Sequence, residues 1–132
     1  MGRVPGPAEP FAQLLRAEWA DALANGPGVV VLGNAEPDHA MIDRASDIFR
    51  DLIDAQNRAG TGGGDHFAKP GANDRIWNSL EKHCLADPAN FARYYANPFL
   101  ALISQAWLGP YYQMTAQLNV VNPGGAAQSP HR

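Results

Sequence analysis

Tyr111–Arg132, YYQMTAQLNVVNPGGAAQSPHR, is the stretch whose reading decides the fold. Tyr112, Met114, Ala116, Leu118 and Val120 fall on one side of a period of two, and Gln113, Thr115, Gln117 and Asn119 on the other. Alternation of this kind predicts a long half-buried strand. Pro123-Gly124-Gly125 predicts a turn, and His131 follows it one residue from the last position. The amide face is either ordinary solvent-facing surface or the wall of a site that the histidine completes.

A strand needs neighbours, because backbone N–H and C=O groups left unpaired are costly. Upstream, Gly28–Gly33 reads as a buried strand, a short apolar run containing Val29, Val30 and Val31. A short piece near His66-Phe67 is one more candidate. Two or three strands close no barrel and make a poor sandwich. Hydrogen-bond accounting therefore predicts the front part of a larger β domain, with helices covering one face of a sheet whose other strands lie beyond Arg132. The alternative is a small helical domain with a two-stranded edge.

Helices fill most of the remaining chain. Residues 1–9 read as a loose leader. Phe11, Leu14, Leu15, Trp19, Ala22 and Leu23 recur at helical spacing behind Pro10, and Asn25-Gly26-Pro27 stops them. Asp38 is placed to cap a long amphipathic helix whose stripe is Met41, Ile42, Ala45, Ile48, Phe49, Leu52 and Ile53. Asp87-Pro88 and Asn97-Pro98 are two further helix starts, and Gly109-Pro110 closes the second. Residues 10–110 are thus expected to be mainly helical cover with one strand at 28–33. Residues 111–132 are expected to be the first long strand and its turn, within one incomplete domain.

Composition removes several function classes. The 132 residues are 45% hydrophobic and 17% charged, which suits a folded domain rather than a disordered one. The net charge of -3, with no run of Lys or Arg, gives no electrostatic case for nucleic acid or an anionic membrane. No stretch approaches the roughly 20 apolar residues of a membrane span, and no signal peptide is legible, so a cytoplasmic location is expected. A single cysteine, Cys84, excludes an intrachain disulfide and any multi-cysteine metal site.

Motifs are sparse. Gly60-Thr61-Gly62-Gly63-Gly64 is not a phosphate loop, because no Gly-Lys-Ser/Thr follows it and it leaves a helix rather than a strand. No G-x-G-x-x-G follows the run at 28–33. His83 and Cys84 are adjacent on the chain, and adjacent side chains on a helix diverge by about 100°, so they make a poor nucleophile and base. No H-x-H, H-E-x-x-H or C-x-x-C spacing exists, and His39 reads as helix surface. His66, Lys69, Arg75 and Trp77 are candidates for binding an anionic ligand, with Trp77 as an apolar wall; the plainer reading is surface loop charge.

The long helix, the segment GDHFAKPGANDRIWNSLEKH (Gly64–His83), the two capped helices and LNVVNPGGAAQSPHR (Leu118–Arg132) occur in an order that resembles the N-terminal part of the phytanoyl-CoA dioxygenase family. The resemblance implies an α+β chain that forms the helical and first-strand portion of a double-stranded β-helix, a jelly-roll of cupin type. It implies Fe(II) and 2-oxoglutarate as cofactor and co-substrate, and a small organic molecule as substrate. It makes His131 the first iron ligand, opening a His-x-Asp motif. It gives Gln117 and Asn119 the wall that faces 2-oxoglutarate or substrate, with Arg75 or Lys69 reaching the same pocket. Imidazole and carboxylate suit Fe(II), and a carboxylate-bearing co-substrate suits a bidentate cation.

The resemblance places the Asp of that motif, a second histidine and, after it, the arginine that pairs with the 2-oxoglutarate carboxylate beyond Arg132. The parent protein is therefore expected to hydroxylate its substrate, and the 132 residues alone to be inactive. Halogenation is a variant of the same chemistry. No nucleic-acid or membrane partner is expected, and unpaired strands would allow a homo-oligomer. The alternative from another class is a non-enzymatic binding or structural domain that adds its terminal strand to a partner's sheet.

Overall fold

A computed structural model describes residues 6–61 and 71–125. The elements run α1 (Glu9–Ala24), α2 (His39–Arg58), β1 (Asn73–Ile76), α3 (Ser79–Ala86), α4 (Pro88–Tyr95), α5 (Pro98–Leu108) and β2 (Leu118–Val121). Helices with one two-stranded antiparallel sheet make an α+β arrangement. The chain divides into two compact units. One holds the residues up to Ile42 with Ala92–Met114, and the other holds Asp43–Phe91 with the residues from Thr115 onward.

In the first unit α1 lies against α5. Ala12 and Trp19 from α1 and Leu102 from α5 are the buried centre, surrounded by Leu15, Phe99, Ile103 and Ala106. Burying side chains of this size stabilises by roughly 1.5–3 kcal/mol each. The start of α5 is fixed by Asn97. Its side chain accepts from Phe99 N–H at 2.9 Å and donates to the Ala35 carbonyl at 2.7 Å and to Glu36 Oε2 at 3.0 Å. Asp38 accepts from Met41 N–H at 3.3 Å, the cap expected for α2, and is ion-paired with Arg93.

The run at 28–33 is a correction to the sequence reading: it forms no strand. Val30 and Leu32 pack onto the α1–α5 core, while Val29 and Val31 are 65% and 87% exposed. The alternation is that of a strand, but no neighbouring strand pairs with it among the described residues. β-branched residues favour extended backbone, yet a ladder needs a partner.

In the second unit β1 and β2 pair antiparallel, with Asn73 opposite Val121, Asp74 opposite Val120, Arg75 opposite Asn119 and Ile76 opposite Leu118. The long strand expected from Tyr111 is therefore cut to Leu118–Val121, because β1 is itself only 4 residues long. One bond extends the pairing, from Ser79 N–H to the Ala116 carbonyl at 3.2 Å. The Asn122-Pro123-Gly124-Gly125 turn is as expected: Gly125 N–H donates to the Asn122 carbonyl at 2.8 Å, and Gly124 has φ of 84°. Proline second and a left-handed glycine third are the signature of a type II turn.

Asp87 caps α4, accepting from Asn90 N–H at 2.9 Å and pairing with Arg44 Nε at 3.0 Å. These contacts hold the Asp87 carboxyl below its ordinary pKa, the Asn90 backbone bond first and Arg44 second.

Candidate functional site

The site begins with the register of the two strands. Side chains alternate across a sheet, so β1 sends Asp74 and Ile76 to one face and Asn73 and Arg75 to the other. Ile76 is fully buried, which fixes the choice. The β2 residues opposite complete each face: Leu118 and Val120 join Ile76, and Asn119 and Val121 join Arg75. Gln117 continues the second face by the same alternation, and so does Trp77 just past β1.

Arg75 is the centre of that second face. Its Nη2 donates to Gln117 Oε1 at 3.0 Å, and its guanidinium lies 4.2 Å from the centre of the Trp77 ring. Asn119 stands directly across the ladder. The backbone is held from behind, where Gln56 Nε2 donates to the Arg75 carbonyl at 3.3 Å. Asn73 is 4% exposed, and its Oδ1 has no partner among the described residues. The face thus assembles one cation and three amide side chains, one of which, Asn73, has an acceptor with no partner among the described residues.

Asn122 locks the sheet at its turn end. Its N–H donates to the Ala72 carbonyl at 2.9 Å, and its Nδ2 donates to Asp74 Oδ2 at 2.8 Å and to the Gly71 carbonyl at 3.2 Å. The opposite, apolar face forms a concavity of about 370 Å³, lined by Phe49, Ile53, Leu118 and Val120 with Asp54 and Asp74.

Other residues singled out in the sequence fall elsewhere. His83 is fully buried, with Nε2 2.8 Å from Asn90 Oδ1 and its ring edge-on to Phe49 and Phe91. It is a core side chain, and Cys84 beside it is half-buried. His39 opens α2 and is exposed, as expected. His66, Lys69 and His131 lie outside the described residues. Among the described residues no group of three or more His, Cys, Asp or Glu could hold a metal ion. No helix among them is long and apolar enough to cross a membrane.

The structure therefore brings together three of the residues expected at the co-substrate pocket, Arg75, Gln117 and Asn119. Their meeting depends on β1, which the sequence did not disclose, because asparagine and aspartate, here Asn73 and Asp74, are depleted in strands and enriched in turns. Asn73 was missed for the same reason, and Asn122 entered the sequence reading only within the family-like segment Leu118–Arg132.

The model of the family described as phytanoyl-CoA dioxygenase matches residues 9–132 of this chain. The chain belongs to the phytanoyl-CoA dioxygenase family. That family is in general Fe(II)- and 2-oxoglutarate-dependent, so the membership points to an oxygenase-type function. Neither the curated proteins nor the solved structures contain a match. The family match takes in both strands, the turn and every helix described above, and nothing found favours the binding-domain alternative.

Proposed function

We propose that this chain carries part of the site of a non-haem Fe(II)- and 2-oxoglutarate-dependent dioxygenase that hydroxylates a small organic molecule, and that its sheet is the beginning of a double-stranded β-helix. In the overall reaction a substrate C–H bond becomes C–OH, O₂ is consumed, and 2-oxoglutarate becomes succinate and carbon dioxide. The observation that carries the reading is Arg75 beside Gln117 and across from Asn119 on one sheet face.

These residues fit a carboxylate. A guanidinium supplies a planar set of donors matched to the two carboxylate oxygens, and an amide supplies a further N–H. Gln117 is neutral, so its bond to Arg75 orients the guanidinium without cancelling the charge. The described residues do not fit the metal in the same way, since they contain no ligand cluster. His131 is the proposed first iron ligand on family resemblance alone, where Fe(II) would supply the oxidising chemistry. The residues of this sheet face divide the binding between them. Arg75 meets one carboxylate of the dicarboxylate, and Gln117 and Asn119 orient it.

Isothermal titration of the parent protein with 2-oxoglutarate, with Mn(II) as a redox-silent substitute for Fe(II), tests the reading. Saturable binding is expected, weakened ten-fold or more in Arg75→Ala, with the Mn(II)-dependent part lost in His131→Ala. Equal affinity in Arg75→Ala and the unaltered protein would overturn it.

A further inference from the structure

We propose that Trp77 is a positioning residue for the Arg75 guanidinium, and through it for the ligand carboxylate. The inference rests on the carboxylate-binding reading above and adds a residue to it. Trp77 follows β1 directly and shares the face of Arg75 by the two-residue period. Its ring lies 4.2 Å from the guanidinium carbon of Arg75. Arginine is a long side chain with many rotamers, and a flexible cation binds an anion less well than one already in place. Two of its contacts restrain the guanidinium. Gln117 holds an edge of the guanidinium at 3.0 Å, and the indole holds its flat side. A planar group held by one edge and one face is restrained in both tilt and rotation.

The position of Trp77 is itself fixed by backbone. Asn78, the next residue, takes a left-handed conformation with φ of 54°, which turns the chain out of the strand and into α3. Asparagine is one of the few residues that tolerates it. Trp77 is 43% exposed, so its ring and the guanidinium beside it are open to a ligand from solvent.

Isothermal titration with 2-oxoglutarate, and with succinate as a dicarboxylate lacking the keto group, is run on the unaltered parent protein and on its Trp77→Leu, Trp77→Phe, Arg75→Ala and Trp77→Leu/Arg75→Ala variants. Circular dichroism checks that each is folded. Stacking on an exposed ring sets the expected effect at about three- to five-fold weaker binding in Trp77→Leu. Trp77→Phe should recover most of that loss, and Trp77→Leu should add nothing once Arg75 is alanine. The same pattern with succinate would place the effect at the carboxylate rather than the keto group. If Arg75→Ala weakens binding while Trp77→Leu binds as tightly as the unaltered protein, the positioning role falls and the carboxylate reading stands. If Trp77→Leu weakens binding equally with and without Arg75, Trp77 does not act through the arginine. If Arg75→Ala has no effect, or the unaltered protein binds neither compound, both readings fall.

Discussion

His83 and Asn90 form a bond buried inside the second unit, and breaking it shows whether that histidine is structural. His83 is 0% exposed and Asn90 6% exposed, and their side chains meet at 2.8 Å. Replacing Asn90 by alanine removes one partner of a buried polar pair, which costs about 1–3 kcal/mol. Replacing His83 by alanine removes the same bond and also leaves a hole between Phe49 and Phe91, whose rings lie 5.2 Å and 5.7 Å from the imidazole. Loss of a large buried side chain costs about 2–4 kcal/mol. Because both variants delete one shared bond, the double variant should cost about 1 kcal/mol less than the sum of the singles. Urea unfolding followed by far-ultraviolet circular dichroism measures this. With a slope of about 2 kcal/mol per molar urea, His83→Ala should move the midpoint down by about 1–2 M. A coupling below about 0.3 kcal/mol, the ordinary scatter of additivity, would refute the reasoning. So would a His83→Ala protein with an unchanged midpoint.

Asn97→Ala should destabilise by about 1–2 kcal/mol, since it removes a cap and two cross-links, and Asn97→Asp should restore only the cap; urea midpoints separate the two. The Asp87 carboxyl is held below its ordinary pKa by the Asn90 N–H and then by Arg44. Its stabilisation is therefore present above the unfolded carboxylate value of about 4 and is lost as pH falls through the lower folded value. Asp87→Asn should flatten that acid limb in urea midpoints taken against pH, and an unchanged limb counts against the account. Gly124→Ala forces a Cβ into φ of 84° and should cost about 1 kcal/mol. Gly125→Ala is expected to be the worse of the two, because its Cβ would stand 2.6 Å from the Ala72 carbonyl; faster amide exchange at Val121 and Asn122 would report the loosened sheet.

The helices were legible because their signals are local. Asp38, Asp87 and Asn97 sit where the caps are, and Met41, Ala45 and Ile48 carry the buried stripe of α2. A cap is written within three residues and a stripe within one helix, so neither depends on the rest of the chain. Strands differ in this respect. Val29, Val30 and Val31 have the composition of a strand and lack the partner, whereas Asn73–Ile76 has the composition of a turn and pairs with β2. Propensity did not decide either case; the availability of a neighbour did. The site shared this limit. Arg75, Gln117 and Asn119 could each be named from sequence, but their meeting rests on a pairing across more than forty positions that no local pattern encodes.

That pairing is short, and the chemistry of its face depends on it. Side chains alternate with a period of two, so a slip of one residue between β1 and β2 would carry Arg75 to the face that now holds Ile76. It would also expose Ile76, whose burial is worth about 1.5–3 kcal/mol, and bring a guanidinium into apolar surroundings. Asn122 adds to the same choice, since its three bonds to Gly71, Ala72 and Asp74 close only in the observed register. The apolar face and the turn thus select the register, and the register selects where the cation stands. Gln117 and Trp77 restrain the guanidinium of Arg75, but they do not choose its face. Arg75 is placed there because Ile76, its neighbour in the chain, is buried on the other side.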